Sequence, residues 1–246
     1  MTGLGGWPDG VRLVVHDVLD STNEEARRLA LAGESGPLWI MAREQTAGRG
    51  RRGRPWVSER GNLFATLLTR APQTTAAQLA FAAGLAVAAT VSFYCQPAEV
   101  TLKWPNDVLV RNEKVSGILL ESLDKERLAI GVGINLADHP QGTEFPATSL
   151  AALTGSAPDP DDAMLRLARH MAAWYEVWQT NGFVPVRAAW LQRAAGLRKS
   201  VKARLEGREM EGVFEDLDED GALLLRDAAG ALVRVTAGEV FPSLDR

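Results

Sequence analysis

The stretch from Gln45 to Ser58 reads QTAGRGRRGRPWVS, with four arginines (Arg49, Arg51, Arg52, Arg54) spaced by three glycines (Gly48, Gly50, Gly53) and closed by Pro55 and Trp56. Glycine permits backbone conformations that bring a loop close to a ligand, and arginine adds a fixed charge on a planar fork that fits phosphate or carboxylate. The stretch is therefore expected to be a phosphate-binding loop. Its letters contain Gly48-x-Gly50-x-x-Gly53 after a strand-like run, Leu38 to Ala42, as in a dinucleotide-binding turn. Such a turn opens directly into a helix, whereas the residue before Pro55 is pushed toward extended conformations. Arg54-Pro55 also stands where a Walker motif needs Lys-Ser/Thr, and proline stands where a kinase loop has valine. A flexible basic tract for nucleic acid is the bland alternative. Against it, the tract is short, ends in a bulky aromatic and leads straight into a strand-like run, Asn62 to Leu68.

Around this loop lies an ordinary globular composition: 246 residues, 46% hydrophobic and 24% charged, with a formal net charge of -4. That suffices for one good core and a smaller second one. Cys95 is the single cysteine, which excludes an internal disulfide or a thiolate metal cluster and fits a reducing cytoplasm. The start, MTGLGGWPDG, lacks the basic and apolar regions of a secretory signal. No charged residue occurs from Ala71 to Ala98, yet alanine dominates and polar residues interrupt it, so a buried helix over Ala76 to Tyr94 is expected and not a membrane span. His16, His139 and His170 are scattered. With no zinc-ligand spacing and no G-x-S-x-G elbow, the remaining chemistry is charge stabilisation of an anionic reaction.

Val11, Leu13 and Val15 suggest a first strand. Ser21 with Glu24, or Thr22 with Glu25, makes a capping box before a helix striped by Ala26, Leu29 and Ala30,. Val100 to Lys103 reads as a strand that exposes Lys103, and Trp104-Pro105-Asn106-Asp107 as a turn. Val108 to Val110 and Lys114 to Glu121 read as a hairpin, followed by a strand from Leu128 to Asn135. Gly131 and Gly133 leave room beside that strand, and Asn135 ends it with an amide suited to a purine edge. His139 to Ser149 reads as a loop. Asp159-Pro160 opens an amphipathic helix carrying Met164, Leu167, Met171, Trp174 and Trp178, stopped at Asn181-Gly182, and a second helical piece covers Val186 to Ala195,.

From Leu197 the pattern changes to short alternating strands, at Val201 to Leu205, Gly212 to Asp216, Ala222 to Arg226 and Ala231 to Thr236, with turns at Glu206-Gly207, Asp220-Gly221 and Ala229-Gly230. The pattern is that of a small antiparallel barrel. Eight acidic residues between Glu206 and Asp220 are read as a solvated face.

At Gly48 to Trp56 and at Lys103 to Asp107 (KWPND) the chain resembles the biotin protein ligases, whose signature is a GRGRxGRxW loop followed by KWPND. Ser21-Thr22-Asn23, Lys114 and Gly117 in KVSGILLE, and GVGIN ending at Asn135 fall in the family's order. The resemblance implies an α+β fold, with a mixed, largely antiparallel sheet of the class II aminoacyl-tRNA synthetase-like, biotin-lipoate ligase type over residues 1–196, and an SH3-like barrel over residues 197–246. It implies two half-reactions: attack of the biotin carboxylate on the α-phosphate of ATP, then transfer from biotinyl-5′-AMP to a lysine of a biotin carboxyl carrier protein. By motif, biotin falls to Ser21, Thr22, Asn23, Gln45, Gly48, Arg49, Lys114 and Gly117, and the adenylate to Arg51, Arg54, Trp56, Asn106 and Asn135. Arg51 and Lys114 would cancel the repulsion between two anions, and Asp107 would orient the incoming lysine or a magnesium-bound water. Magnesium is implied by the triphosphate, without assignable ligands. Four like charges in an unliganded loop repel, so the loop is expected to be mobile until an adenylate orders it.

A lipoate-type protein ligase is the nearest enzymatic alternative, and a non-enzymatic nucleic-acid binder the alternative of another class. The two long motifs together favour biotin. About ten residues precede the first strand, too few for a helix-turn-helix, so no specific DNA binding is expected. Two copies could pair through an exposed sheet edge.

Overall fold

The computed structural model describes residues 6–205 and 208–242. The elements run in chain order β1 (Arg12–Leu19), α1 (Thr22–Leu31), β2 (Leu38–Gln45), β3 (Leu63–Arg70), α2 (Gln78–Tyr94), β4 (Val100–Lys103), β5 (Asp107–Val110), β6 (Glu113–Ser122) and β7 (Arg127–Ile134). They continue with α3 (Leu150–Thr154), α4 (Pro160–Asn181), α5 (Phe183–Leu191), β8 (Ser200–Leu205), β9 (Arg208–Leu217), β10 (Leu223–Arg226), β11 (Leu232–Val235) and β12 (Glu239–Pro242). The first seven strands form one sheet in the order β1-β2-β3-β7-β6-β5-β4. Only β1 and β2 pair in parallel, so the sheet is mixed and largely antiparallel, as expected.

Strand side chains alternate between faces, and here the alternation separates core from site. Trp39 and Met41 of β2, Ala65 and Leu67 of β3 and Ile130 and Val132 of β7 pack into a large core with α2, α4 and α5. Their neighbours Leu38, Ile40, Leu68 and Ala129 meet Ala26 and Ala30 of α1 on the other face. Helix α2 is buried on most sides: Phe81 packs edge-on against Phe183 and Trp190 at 5.3 Å between centroids, and Gly84 brings the helix against Trp190. Among the described residues no helix is long and apolar enough to cross a membrane. Helix α4 starts as its sequence directs, with the Asp159 side chain accepting from the Asp161 and Asp162 amides.

Three readings need correction. Strand β1 lies at the sheet edge without a burying partner on either face, so Leu13, Val14, Val15 and Val18 are all exposed and no inward alternation develops. The capping box is unused: Ser21 makes no side-chain cap bond, and its amide, which the box would give to Glu24, donates to Asp20 Oδ1 at 2.7 Å. Lys103 is not exposed but 6% accessible.

Strands β8 to β12 form a second, antiparallel sheet in the order β11-β10-β9-β8-β12. Strand β12 escaped the sequence reading. The outer strands β11 and β12 share no ladder among the described residues, so the closure expected of a barrel is not formed between them. The Glu206-Gly207 turn and residues 243–246 lie outside the described residues. The acidic face is laced by arginine, with Arg234 meeting Asp218 and Asp220, and Arg226 meeting Glu215. Trp104 fixes this sheet to the first, donating its Nε1–H to Gly221 O at 3.0 Å from a position only 2% exposed.

Candidate active site

On the α1 face of the first sheet lies a cavity of about 340 Å³. Its floor follows from register and residue size. Gly133 of β7 stands between Phe64 of β3 and Gly117 of β6, and Gly131 stands between Thr66 and Leu119. A side chain at Gly133 would meet the Trp56 indole at 2.6 Å, one at Gly117 would meet it at 3.0 Å, and one at Gly131 would come within 3.0 Å of Asn23 Cγ. The missing side chains thus make the depth of the cleft.

One end is a chain of oriented polar groups. Gln45 Nε2 donates to Ser58 Oγ at 2.9 Å, and Gln45 Oε1 accepts from the Thr22 amide at 2.8 Å. Asn23 Nδ2 donates to Glu121 at 2.7 Å, which turns Asn23 Oδ1 toward Thr66 Oγ at 2.6 Å. A hydroxyl has one proton, and Thr66 gives its own to that acceptor-only oxygen. The 2.8 Å contact between Thr66 and Thr22 is then made with the Thr22 proton. A lone pair on Thr22 Oγ is left for a ligand N–H. Ser21, Thr22 and Asn23 are all 4% exposed.

The other end is cationic. The arginine loop is a narrow hairpin, closed by Trp56 N to Gly48 O at 2.9 Å and Gly50 N to Arg54 O at 2.8 Å, with Arg52 and Gly53 in left-handed conformations (φ 58° and 70°) at its tip. Its charges are held apart by separate partners. Arg49 pairs with Glu24; Arg51 Nη1 donates to Asn106 Oδ1 and to Gly238 O, both at 3.2 Å; Arg54 pairs with Glu239 at 2.9 Å. Burial pulls the Arg51 guanidinium below its ordinary value, against the opposing charge of Asp107. Asp107 is sandwiched between lysines, with Lys103 Nζ 3.0 Å from Oδ2 and Lys114 Nζ 2.6 Å from Oδ1. Burial works to raise its pKa, but Lys114 and Lys103 outweigh that and hold the carboxyl below the usual carboxylate range.

The fourteen residues singled out by motif converge here with graded access. Ser21, Thr22, Asn23, Gln45, Arg49, Arg51, Arg54, Trp56, Asn106, Asp107, Lys114, Gly117 and Asn135 line the cavity. Gly48 lies behind Gln45 and Ser58, where a side chain would clash with the Trp56 carbonyl at 2.6 Å. Asn106 is engaged at both amide ends, by Arg51 and by Ile118 O at 2.8 Å, so it positions the arginine. Asn135 gives its amide nitrogen to Thr148 O at 3.0 Å, leaving Oδ1 for a donor such as an adenine amino group. Sequence reasoning missed Thr66, Glu121, Phe145, Glu239 and Phe241, and noted Lys103 within KWPND without assigning it a role. A threonine inside the apolar run LFATLLT was the one available signal.

Residues 15–135 match the family model of the biotin/lipoate A/B protein ligase family, and residues 198–241 that of the biotin protein ligase C terminal domain. The chain is 46% identical to the biotin--[acetyl-CoA-carboxylase] ligase of Paracoccus denitrificans, over 90% of this chain and 97% of the relative. With the enzyme of the same name from Mycobacterium tuberculosis it shares 36% identity, over 89% of this chain and 85% of the relative. The solved biotin protein ligase of Aquifex aeolicus in complex with biotin and ATP superposes with a TM-score of 0.80 at 28% identity, covering 94% of this chain and 97% of that one. Motif order, sheet topology and the composition of the cleft agree with these likenesses along nearly the whole chain, which belongs to the biotin protein ligase family.

Proposed function

We propose that this chain joins biotin to ATP as biotinyl-5′-AMP with release of pyrophosphate, and then transfers the biotinyl group to a lysine of a biotin carboxyl carrier protein. The observation that carries this is the division of one cleft into a polarised pocket over a glycine floor and a cluster of Arg51, Arg54 and Lys114 beside Trp56. In the first step a biotin carboxylate oxygen bonds to the α-phosphorus as the bond to pyrophosphate breaks. Two anions must approach, and Arg51 and Lys114 reach the space between the two ends, where preorganised charge is most effective. Thr22 Oγ and the Gln45–Ser58 pair suit the ureido ring, Arg49 closes that end, and Asn135 Oδ1 and the Trp56 face suit adenine. In the second step the acceptor amine attacks the biotinyl carbonyl and AMP leaves.

Magnesium is read as arriving with ATP. Among the described residues no three metal-ligating side chains cluster, and both oxygens of Asp107 face lysines, which fits orientation of the acceptor amine better than a resident ion. The lone Cys95 suits a cytoplasmic protein, and the exposed β1 edge is where two copies would pair. Isothermal calorimetry with biotin and ATP, then mass analysis of the bound product and of an added biotin carrier domain, tests the reading. Biotinyl-5′-AMP in the site and one biotin on the carrier are expected. Binding of lipoate in place of biotin would move the assignment to the lipoate branch.

A further inference from the structure

Lys103 is the cation of the site whose partner is fixed from all sides. It ends β4, its ammonium lies 4.4 Å from the Phe145 ring centroid and 5.4 Å from that of Phe241, and its side chain is 8% accessible against 25% for Lys114. Aromatic faces hold a cation without supplying a competing anion, so Asp107 Oδ2 is the anionic oxygen that sets its position. Lys114 differs. Its end lies 3.3 Å from where a side chain at Gly117 would begin, open to the cleft and free to turn toward a ligand.

Resting on the ligase reading above, we propose that Lys103 is a positioning residue: the permanent counter-ion that keeps Asp107 charged and aimed after Lys114 has left it for the substrate's oxygens. A buried carboxylate deprived of all cations takes up a proton, because burial penalises its charged form. With Lys103 in place, Asp107 stays ionised and its Oδ1 becomes free. In the transfer step the acceptor nitrogen bonds to the biotinyl carbonyl carbon, the bond to AMP breaks with its electron pair going to the phosphate, and the proton shed by nitrogen passes to Asp107 Oδ1 and on to solvent. The other charges facing this carboxylate are Lys114 on β6 and Arg51 from the loop. Glu239 of β12 and Glu144 of the 138–149 loop are neutralised by Arg54 and Arg204.

The test separates the two half-reactions in the full chain. Wild type, Lys103→Met, Lys103→Gln and Lys103→Arg are assayed for adenylate formation from biotin and ATP, and in single turnover for transfer from purified biotinyl-5′-AMP to a biotin carrier domain between pH 5 and 9. For the Met and Gln variants the expected result is a transfer rate down roughly 10- to 100-fold near neutral pH, the loss typical of a general base held in the wrong protonation state. The acid limb of transfer should move up by about one pH unit, while adenylate formation changes less than about threefold and Lys103→Arg restores the limb. Equal losses in both half-reactions with an unmoved acid limb, or wild-type behaviour of Lys103→Gln, overturn the proposal. Wild type that makes no biotinyl-5′-AMP overturns the ligase reading instead, whatever the variants do.

Discussion

Gly131 and Gly133 sit two residues apart on one face of β7, yet their replacement by alanine should damage different halves of the site. A methyl group at 131 would begin 3.0 Å from Asn23 Cγ and closer still to its Oδ1, where carbon atoms settle at about 3.5–4.0 Å. Asn23 would have to retreat by about 0.5–1 Å, and it is tied on both sides, to Thr66 at 2.6 Å and to Glu121 at 2.7 Å. Losing one such buried bond costs about 1–3 kcal/mol, a roughly 5- to 150-fold weaker grip on biotin at tenfold per 1.4 kcal/mol, with a similar fall in folding stability. At 133 the methyl meets the Trp56 indole at 2.6 Å, but Trp56 Nε1 has no hydrogen-bond partner among the described residues. The ring can lift, so Gly133→Ala should leave stability within about 1 kcal/mol of wild type while displacing the surface offered to adenine. Calorimetry with biotin alone and with ATP alone reads the two effects, and chemical denaturation reads stability. A biotin affinity untouched by Gly131→Ala, or weakened more by Gly133→Ala, would refute the division of the cleft.

Asp107→Asn should leave the buried Lys103 and the half-buried Lys114 facing a neutral amide, destabilising the fold by about 3 kcal/mol at neutral pH. Because the folded carboxyl lies below the usual carboxylate range, its contribution is complete above the unfolded value of about 3.9 and is lost as pH falls through the folded value; urea titrations should show a wide gap that holds from about pH 7 to about pH 5 and narrows only on further acidification, and a gap already shrinking at about pH 6 would contradict the assigned direction. Glu239→Gln releases Arg54 from a pair whose arginine is 55% exposed, so stability should change by less than about 1 kcal/mol. Trypsin cleavage between Arg51 and Arg54 should nevertheless rise up to about fivefold in the free protein and be suppressed by biotin plus ATP; unchanged cleavage would show that β12 does not hold the loop.

What could be read from the chain beforehand was the part encoded locally. The arginine loop, KWPND and GVGIN carry their chemistry in consecutive residues, and α2 and α4 declare themselves by composition and by Asp159-Pro160. What could not be read depends on residues far apart in sequence. Gln45 takes the first amide of α1, at Thr22, from 23 positions away, and Lys103 is hidden by Phe145 and Phe241, which arrive from a loop and from the second sheet. Strand β12 is four residues containing a proline and exists through its pairing with β8. The exposure of β1 is a matter of what fails to cover it, on which the alternation of Leu13 and Val15 is silent.

The cleft draws its walls from both sheets, with Glu239 and Phe241 facing the arginine loop across it. A ligand filling that space acts as mortar between two sheets that already share a core through Phe214 and Leu217 and are pinned by Trp104. Saturation at a hundred times the dissociation constant adds about 2.7 kcal/mol to the folded state, enough to change the unfolded fraction by about a hundredfold. Since proteases draw on that fraction, vitamin supply would govern how long each molecule survives: scarcity sends the ligase to turnover, and plenty lets it accumulate without any change in synthesis.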